Sequence, residues 1–469
     1  MNRNSRNPGY SNLFRIALPM VVSQASETVM LFADRLFLSW LGKGFIAASM
    51  SGGLSAFVFA SLFTGTVGYV NALTAQYYGA DRREQCSRTV SQGFYLSLAF
   101  YPLILLLIPA VGWFFRAAGH SENQIHLEFS YFRILMAGGI LALIRSTLVG
   151  FFLGIGKTRI VMAANIAGMT VNIPLNYLLI FGKAGFPAMG IEGAAWGTIG
   201  GSLVIAGILF IAYRRQTLYR EFRKEGIWKP RADLIRKILR YGLPTGIEIF
   251  LNVFAFNVFI QLMHSYSADV AAAVTITFNY DMLAFIPMLG VGFATTALVG
   301  QQMGAENPPG AEKITWMALK TAWSYAAVMM LLFLFGAETL VGLFGGGLTA
   351  GDGEVLRLAA ILLRLAALYT LADVTQIVFA GALRGAGDTR WVMTASVVLH
   401  WIMALISFLL IRRFRVSPVL VWCVFILFIM ALGVIMFLRF LKGPWRTLRI
   451  IREPAESPAV ISEPEFPQS

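Results

Sequence analysis

Cysteine and charge are both scarce in this chain. There are 2 cysteines in 469 residues. Cys86 falls in a charged stretch and Cys423 in an apolar one, so the chain offers neither a disulfide framework nor a cysteine metal cluster. No HExxH helix and no nucleophile–base set is present, so intramembrane hydrolytic chemistry lacks its parts. The expectation is that the chain is not an enzyme, has no catalytic residues and needs no cofactor. Charged residues make up only 13% of the chain against 57% hydrophobic, and mean hydropathy is +0.68. That excludes an ordinary soluble domain and points to a polytopic membrane protein. The few charges are unbalanced, with a net +14. Membrane topology accounts for this without nucleic acid, because Lys and Arg accumulate in cytoplasmic loops. A channel is disfavoured as well, since no ring or filter sequence is seen.

Long apolar runs are abundant. Runs of spanning length fall at about 13–39, 46–77, 90–115, 130–152, 160–182 and 190–213, and again at about 238–263, 270–303, 315–345, 355–382, 391–411 and 416–440. The expected fold is therefore all-α and polytopic, with twelve transmembrane helices in two groups of six. Pro19, Pro174, Pro244 and Pro287 interrupt individual runs, which membranes tolerate where neighbours or cavity water re-satisfy the backbone.

The stretch between the groups, YRRQTLYREFRKEGIWKPRADLIRKILRYG, is strongly basic and is placed in the cytoplasm. By alternation the segment before the first helix (Arg3, Arg6) and the turns ADRREQCSR, GKTR and RGAGDTR share that side. Segments near Glu122, Asp269 and Asp352 lie opposite. RRFR at 412–415 breaks this pattern and is outweighed. Both termini are thus expected in the cytoplasm. The first apolar run reads as a retained helix and not as a signal peptide. The expected division is 1–12 as an N-terminal segment, 13–213 as an N-lobe, 214–237 as a linker, 238–440 as a C-lobe and 441–469 as a disordered cytoplasmic tail.

The two groups repeat one another. RIALPM (15–20) matches RYGLPT (240–245), and TAQYYGADR (74–82) matches VGQQMGAEN (299–307) at the same offset. GFFLGIGKTRIVM (150–162) matches AGALRGAGDTRWVM (380–393). An even number of helices per repeat runs both halves through the membrane in the same direction. The halves should be related by an axis near the membrane normal, with substrate at their interface.

The residues expected to carry function are carboxylates inside spanning runs, because an acid near mid-bilayer is costly and needs a proton, an ion or a cationic ligand. Glu248 and Asp373 lie near mid-depth of two C-lobe helices. Tyr369 is four residues before Asp373 and shares its helix face, where it could offer oxygen coordination or a cation–π face. If Glu248 and Asp373 converge, they cannot both stay ionised without a bound cation, and a hard ion such as Na⁺ wants several oxygens. Asp34 repeats the situation in the N-lobe; Arg35, next to it, faces elsewhere. Glu27, seven residues earlier, lies on nearly the same face as Asp34. Asn172 and Asn176 are four apart, flank Pro174, and could coordinate an ion, hold Asp34 or join packed helices. Asp281 is a further candidate cavity acid. His400 reads as a satisfied bundle histidine ahead of a proton relay. Arg384, Asp388, Lys157 and Arg159 read as residues of tight cytoplasmic turns. The many Phe and Met residues serve packing, with a minority suited to a plastic cavity.

Taken together, LFADRLFL, NIPLNY, GIEGAAWGT, the glutamate after LPTG, FNYDMLAFIPM and YTLADVTQIVFAGALRGAGDTR resemble the multidrug and toxic compound extrusion (MATE) family, most closely its NorM-like branch. The resemblance covers about 13–440. It implies two lobes around a V-shaped cavity in a bacterial inner membrane, and export of cationic or amphipathic drugs by alternating access, driven by inward Na⁺ or H⁺. It matches Glu248 and Asp373 to a C-lobe cation site that would take Na⁺, Tyr369 to the aromatic neighbour of that site, and Asp34 to the N-lobe acid with Asn172, Asn176 and Thr198 around it. A monomer in the lipid bilayer is expected. The alternative in the same superfamily is a flippase for a lipid-linked or polysaccharide intermediate. Such proteins tend to carry cationic cavities, whereas this chain offers acids.

Overall fold

In the computed structural model, the described residues are 9–117, 121–217, 222, 226–343 and 353–451. Fourteen helices are described: α1 (Tyr10–Leu41), α2 (Lys43–Gly68), α3 (Val70–Gly79), α4 (Arg83–Ala117), α5 (Glu122–Ala137), α6 (Gly139–Gly154), α7 (Thr158–Phe181), α8 (Gly190–Thr217), α9 (Ala232–His264), α10 (Ala268–Gly304), α11 (Pro308–Gly342), α12 (Gly353–Ala386), α13 (Thr389–Arg412) and α14 (Pro418–Lys442). The described residues contain no strand. Eleven spans are long and apolar enough to cross a bilayer, with α2 and α3 forming one of them; α5 and α6 form a twelfth, bent by 47°. Counting that bent pair as one span gives the expected twelve, with the fourth broken. The break falls at Gly138–Gly139, where a side chain on Gly138 would meet Ile199 at 2.6 Å. Its counterpart in the second half, α12, runs unbroken.

The helices sort into two bundles, α1–α8 and α9–α14, each packed mainly within itself. Contact between the bundles runs mainly through α2 with α9, α1 with α10, and α3 with α10, with smaller contacts of α6 with α10 and α3 with α12. Small residues make these crossings close, as membrane helices require. A Cβ on Gly242 would sit 2.2 Å from the Thr66 carbonyl, one on Gly246 2.1 Å from the Leu62 carbonyl, and one on Gly290 2.8 Å from Val21. These approaches lie between mid-depth and the end of the bundle where α1 begins and α14 ends, called here the terminal face.

The sequence repeat is also visible in the backbone. Asp81 and Glu306, equivalent in the two halves, both adopt left-handed φ values, 61° and 56°. Gly156 and Gly387, in the GKTR and GDTR turns, do the same at 75° and 102°. A repeated strained turn is unlike a chance match of residue types.

The connecting segments are tied to the bundles, and one expectation about them changes. Where it is described, the linker is strapped to α4: Tyr95 Oη donates to the Trp228 carbonyl, Ser91 Oγ to that of Ile227 (2.6 Å) and Gln92 Nε2 to that of Lys229 (3.1 Å). Residues 441–451, expected to open a disordered tail, are packed. Pro444–Thr447 makes a 3₁₀ turn, Trp445 is buried and stacks on Phe440 at 4.8 Å, and Ile450 is buried. Apolar side chains at 445, 448 and 450 fold this stretch back under the bundle. Arg3, Arg6, Asp352 and the tail from 452 onward lie outside the described residues.

Candidate functional site

Asp34 of α1 is held by two neighbouring helices, α7 and α8. Proximity of α7 and α8 is set by glycine: a Cβ on Gly197 would fall 1.6 Å from Asn176 Oδ1, and one on Gly201 2.8 Å from Asn172 Cβ. Without side chains at 197 and 201, α8 leaves room for both asparagines. Asn176 Nδ2 donates to Asp34 Oδ1 and, at 3.4 Å, to Asn172 Oδ1, while Thr198 Oγ1 donates to Asp34 Oδ2 at 3.1 Å. The structure thus gathers Asp34, Asn172, Asn176 and Thr198. Asp34 is 2% exposed, and both asparagines are fully buried. Among the described ion pairs none involves Asp34. Asn176 Oδ1 and Asn172 Nδ2 have no partner. A buried carboxylate beside an unused amide oxygen, with neutral donors only, is a place for a proton or a small cation. Tyr131 of α5, not singled out in the sequence, reaches the same cluster at Thr198.

Glu27 belongs to a second N-lobe cluster. Arg145 of α6 contacts it at 3.3 Å, and Asn165 Nδ2 donates to Glu27 Oε1 at 3.0 Å and to Ser23 Oγ at 2.5 Å. Glu27 is therefore a paired acid. Its partner had a readable signal, since Arg145 is a lone arginine inside an apolar spanning run (GILALIRSTLVG).

In the C-lobe the expected pairing fails. The sequence reading placed Glu248 and Asp373 in one site with Tyr369 beside them. Glu248 instead forms a bidentate pair with Arg384, whose Nη2 and Nε lie 2.6 and 3.3 Å from its two oxygens. Arg384 is about three turns beyond Asp373 on the same helix, roughly 16 Å along its axis. No hydrogen bond joins Glu248 to Asp373 among the described residues. Asp373 takes a bond from Gln376 Nε2 (3.3 Å) and lies within electrostatic reach of Asp281. Tyr369 Oη donates to Asp281 Oδ1 at 2.8 Å. The C-lobe acid neighbours are thus Asp281 and Asp373, with Tyr369 hydrogen-bonded to the first and one turn before the second on α12. Asp281 enters from α10, and Tyr369 and Asp373 from one face of α12. Both acids are half-buried, while Tyr369 is 1% exposed and packs edge-on against Phe425 at 5.5 Å. Two carboxylates, a phenol and a glutamine amide supply the oxygens that either a shared proton or Na⁺ needs.

Arg384 is also a correction of element type. Expected in a tight turn, it is helical, because α12 continues to Ala386. Asp388 does lie in the turn, where Arg439 Nε bonds it at 2.8 Å while its guanidinium covers Trp391. Lys157 reaches Gln216 Oε1 at 2.5 Å, and Arg159 is exposed at the start of α7. His400 Nδ1 lies 2.7 Å from the Ser396 carbonyl of its own helix, the satisfied arrangement. Asn252, one turn beyond Glu248, donates to Ser396 Oγ at 2.9 Å.

The chain resembles known transporters throughout. It is 29% identical over 398 residues to multidrug resistance protein PmpM of Pseudomonas aeruginosa, covering 83% of this chain and 81% of that one. It is 27% identical over 447 residues to the probable multidrug resistance protein NorM of Mannheimia succiniciproducens, covering 92% and 93%. Among solved structures, a MOP superfamily transporter from Pyrococcus furiosus superposes with a TM-score of 0.82 at 21% identity, over 95% of this chain and 97% of that chain. A multidrug resistance MATE family transporter in an outward-facing conformation gives 0.82 at 20% identity, over 95% and 97%. These likenesses show the fold. The MatE family model matches residues 19–178 and 244–409, more than half of the sequence and both of its lobes, and the chain belongs to that family.

Proposed function

We propose that this chain is a secondary active multidrug exporter. It moves cationic or amphipathic compounds out of the cell in exchange for Na⁺ or H⁺, by alternating access between the two lobes. The observation that carries this reading is Asp34, a buried intramembrane acid held by Asn176 and Thr198 without a described counter-cation. Membership of the family and the names of the multidrug resistance relatives support the substrate class. In this reading Asp34 accepts a proton or cation, and its amide shell reorients as the charge changes. The Asp281–Tyr369–Asp373 group does the same in the C-lobe, with Na⁺ or a shared proton between two carboxylates. The bacterial inner membrane holds the chain as a monomer with both termini in the cytoplasm, where the basic linker satisfies positive-inside bias. The terminal face is then the cytoplasmic face.

Expression in a drug-sensitised bacterium tests this reading. The wild-type chain should raise tolerance to lipophilic organic cations and lower their accumulation. A chain that reaches the membrane and changes neither contradicts it. Movement of a labelled anionic lipid by reconstituted protein, with no movement of organic cation, would favour a flippase.

A further inference from the structure

Two hydrogen bonds between the lobes mirror each other. Gln76 Nε2 of α3 donates to the Gly385 carbonyl of α12 at 2.9 Å, and Gln301 Nε2 of α10 donates to the Gly154 carbonyl of α6 at 2.8 Å. The donors are equivalent residues of the repeat, TAQYYG and VGQQMG. The acceptors are equivalent too, since Gly154 opens GIGKTR and Gly385 opens GAGDTR. The backbones cross in the same way. A Cβ on Gly79 would fall 1.9 Å from the Gln301 carbonyl, and a Cβ on Gly304 would fall 1.9 Å from the Gln76 carbonyl.

The acceptors have a particular character. Gly154 ends α6 and Gly385 lies in the last turn of α12. Carbonyls there have no partner within their own helix. In this structure the opposite lobe satisfies them. At the terminal face, water can replace that donor when the lobes part, so each bond is worth the modest net value of an exchange with solvent. Strong enough to bias and weak enough to release, such a bond suits a latch better than a permanent joint. The Gly385 half also adjoins a charged pair. Tyr69 Oη donates to the Arg384 carbonyl at 3.3 Å, and the Arg384 side chain holds Glu248.

We propose that Gln76 and Gln301 are positioning residues that form a two-part latch, closing the terminal-face ends of the lobes and releasing when the cavity turns to that face. The role in transport rests on the alternating-access reading, but the latch itself is measurable without transport. Spin labels at Arg159→Cys and Arg390→Cys, equivalent exposed positions on the two lobes, would report the separation after Cys86 and Cys423 are replaced by serine. Gln76→Met and Gln301→Met keep side-chain length and remove the donor. Each should raise the open-to-closed ratio about fivefold, and the double variant about twenty-five-fold. Unchanged distances in both single variants would overturn the latch, as would a shift in only one. Should a methionine variant not assemble, the leucine variants at the same positions, which also lack the donor, read the same contact by the same criterion. Whether the wild type itself changes separation with pH or Na⁺ tests alternating access separately.

Discussion

Asp34→Asn is expected to cut efflux by an order of magnitude or more while the protein still folds and inserts. Asparagine has nearly the same shape as aspartate and can keep hydrogen bonds to Asn176 and Thr198, so the structural cost should stay near the ~1 kcal/mol of a neutral hydrogen bond. What it cannot do is gain and lose charge. If Asp34 merely filled a polar pocket, the asparagine variant would transport normally, because every neighbour of the carboxylate can also bond an amide. Transport rate and thermal stability in detergent, measured on one preparation, separate the two roles. Wild-type efflux from the variant would remove Asp34 from the mechanism.

Arg384→Gln is expected to have the largest effect on stability. It leaves Glu248, 3% exposed, without its cation. Removing one member of a buried ion pair typically costs about 3–5 kcal/mol, because the remaining charge stays desolvated. Arg384 keeps 28% of its side chain exposed, so the lower end, about 3 kcal/mol, applies. Glu248→Gln combined with Arg384→Gln should recover most of the loss, since two neutral amides can bond one another. A double-mutant cycle on thermal unfolding checks this. Additive losses would mean that the pair is not coupled, and would reopen Glu248 as a partner for Asp373.

The sequence revealed most where the bilayer constrains it. A spanning helix needs an apolar run of known length, so twelve spans could be counted; the Asn172–Asn176 spacing put both amides on one face, and the family resemblance directed them to Asp34. Position along a helix was readable as well. Rotation and neighbours were not. Glu248 and Asp373 were matched by depth and family resemblance, yet α12 turns Arg384 toward Glu248 and leaves Asp373 to Asp281. The motif RGAG suggested a turn because glycine usually ends helices. Here Gly385 is helical, and its missing side chain lets α12 approach α10, where a Cβ would lie 2.5 Å from the Thr296 carbonyl. Glycine for close packing and glycine for a turn look alike in one sequence. The bend at Gly138 was missed for the same reason in reverse, as an apolar run passes over it without a change in composition.

Cation-coupled export is tested most directly in proteoliposomes. Efflux of a fluorescent organic cation is followed while Na⁺ and H⁺ gradients are imposed separately, for wild type and for Asp34→Asn. The expected result is uphill movement of the organic cation driven by at least one gradient, collapsing when that gradient is dissipated and lost in the variant. Movement indifferent to both gradients, or equal in the two proteins, would contradict it.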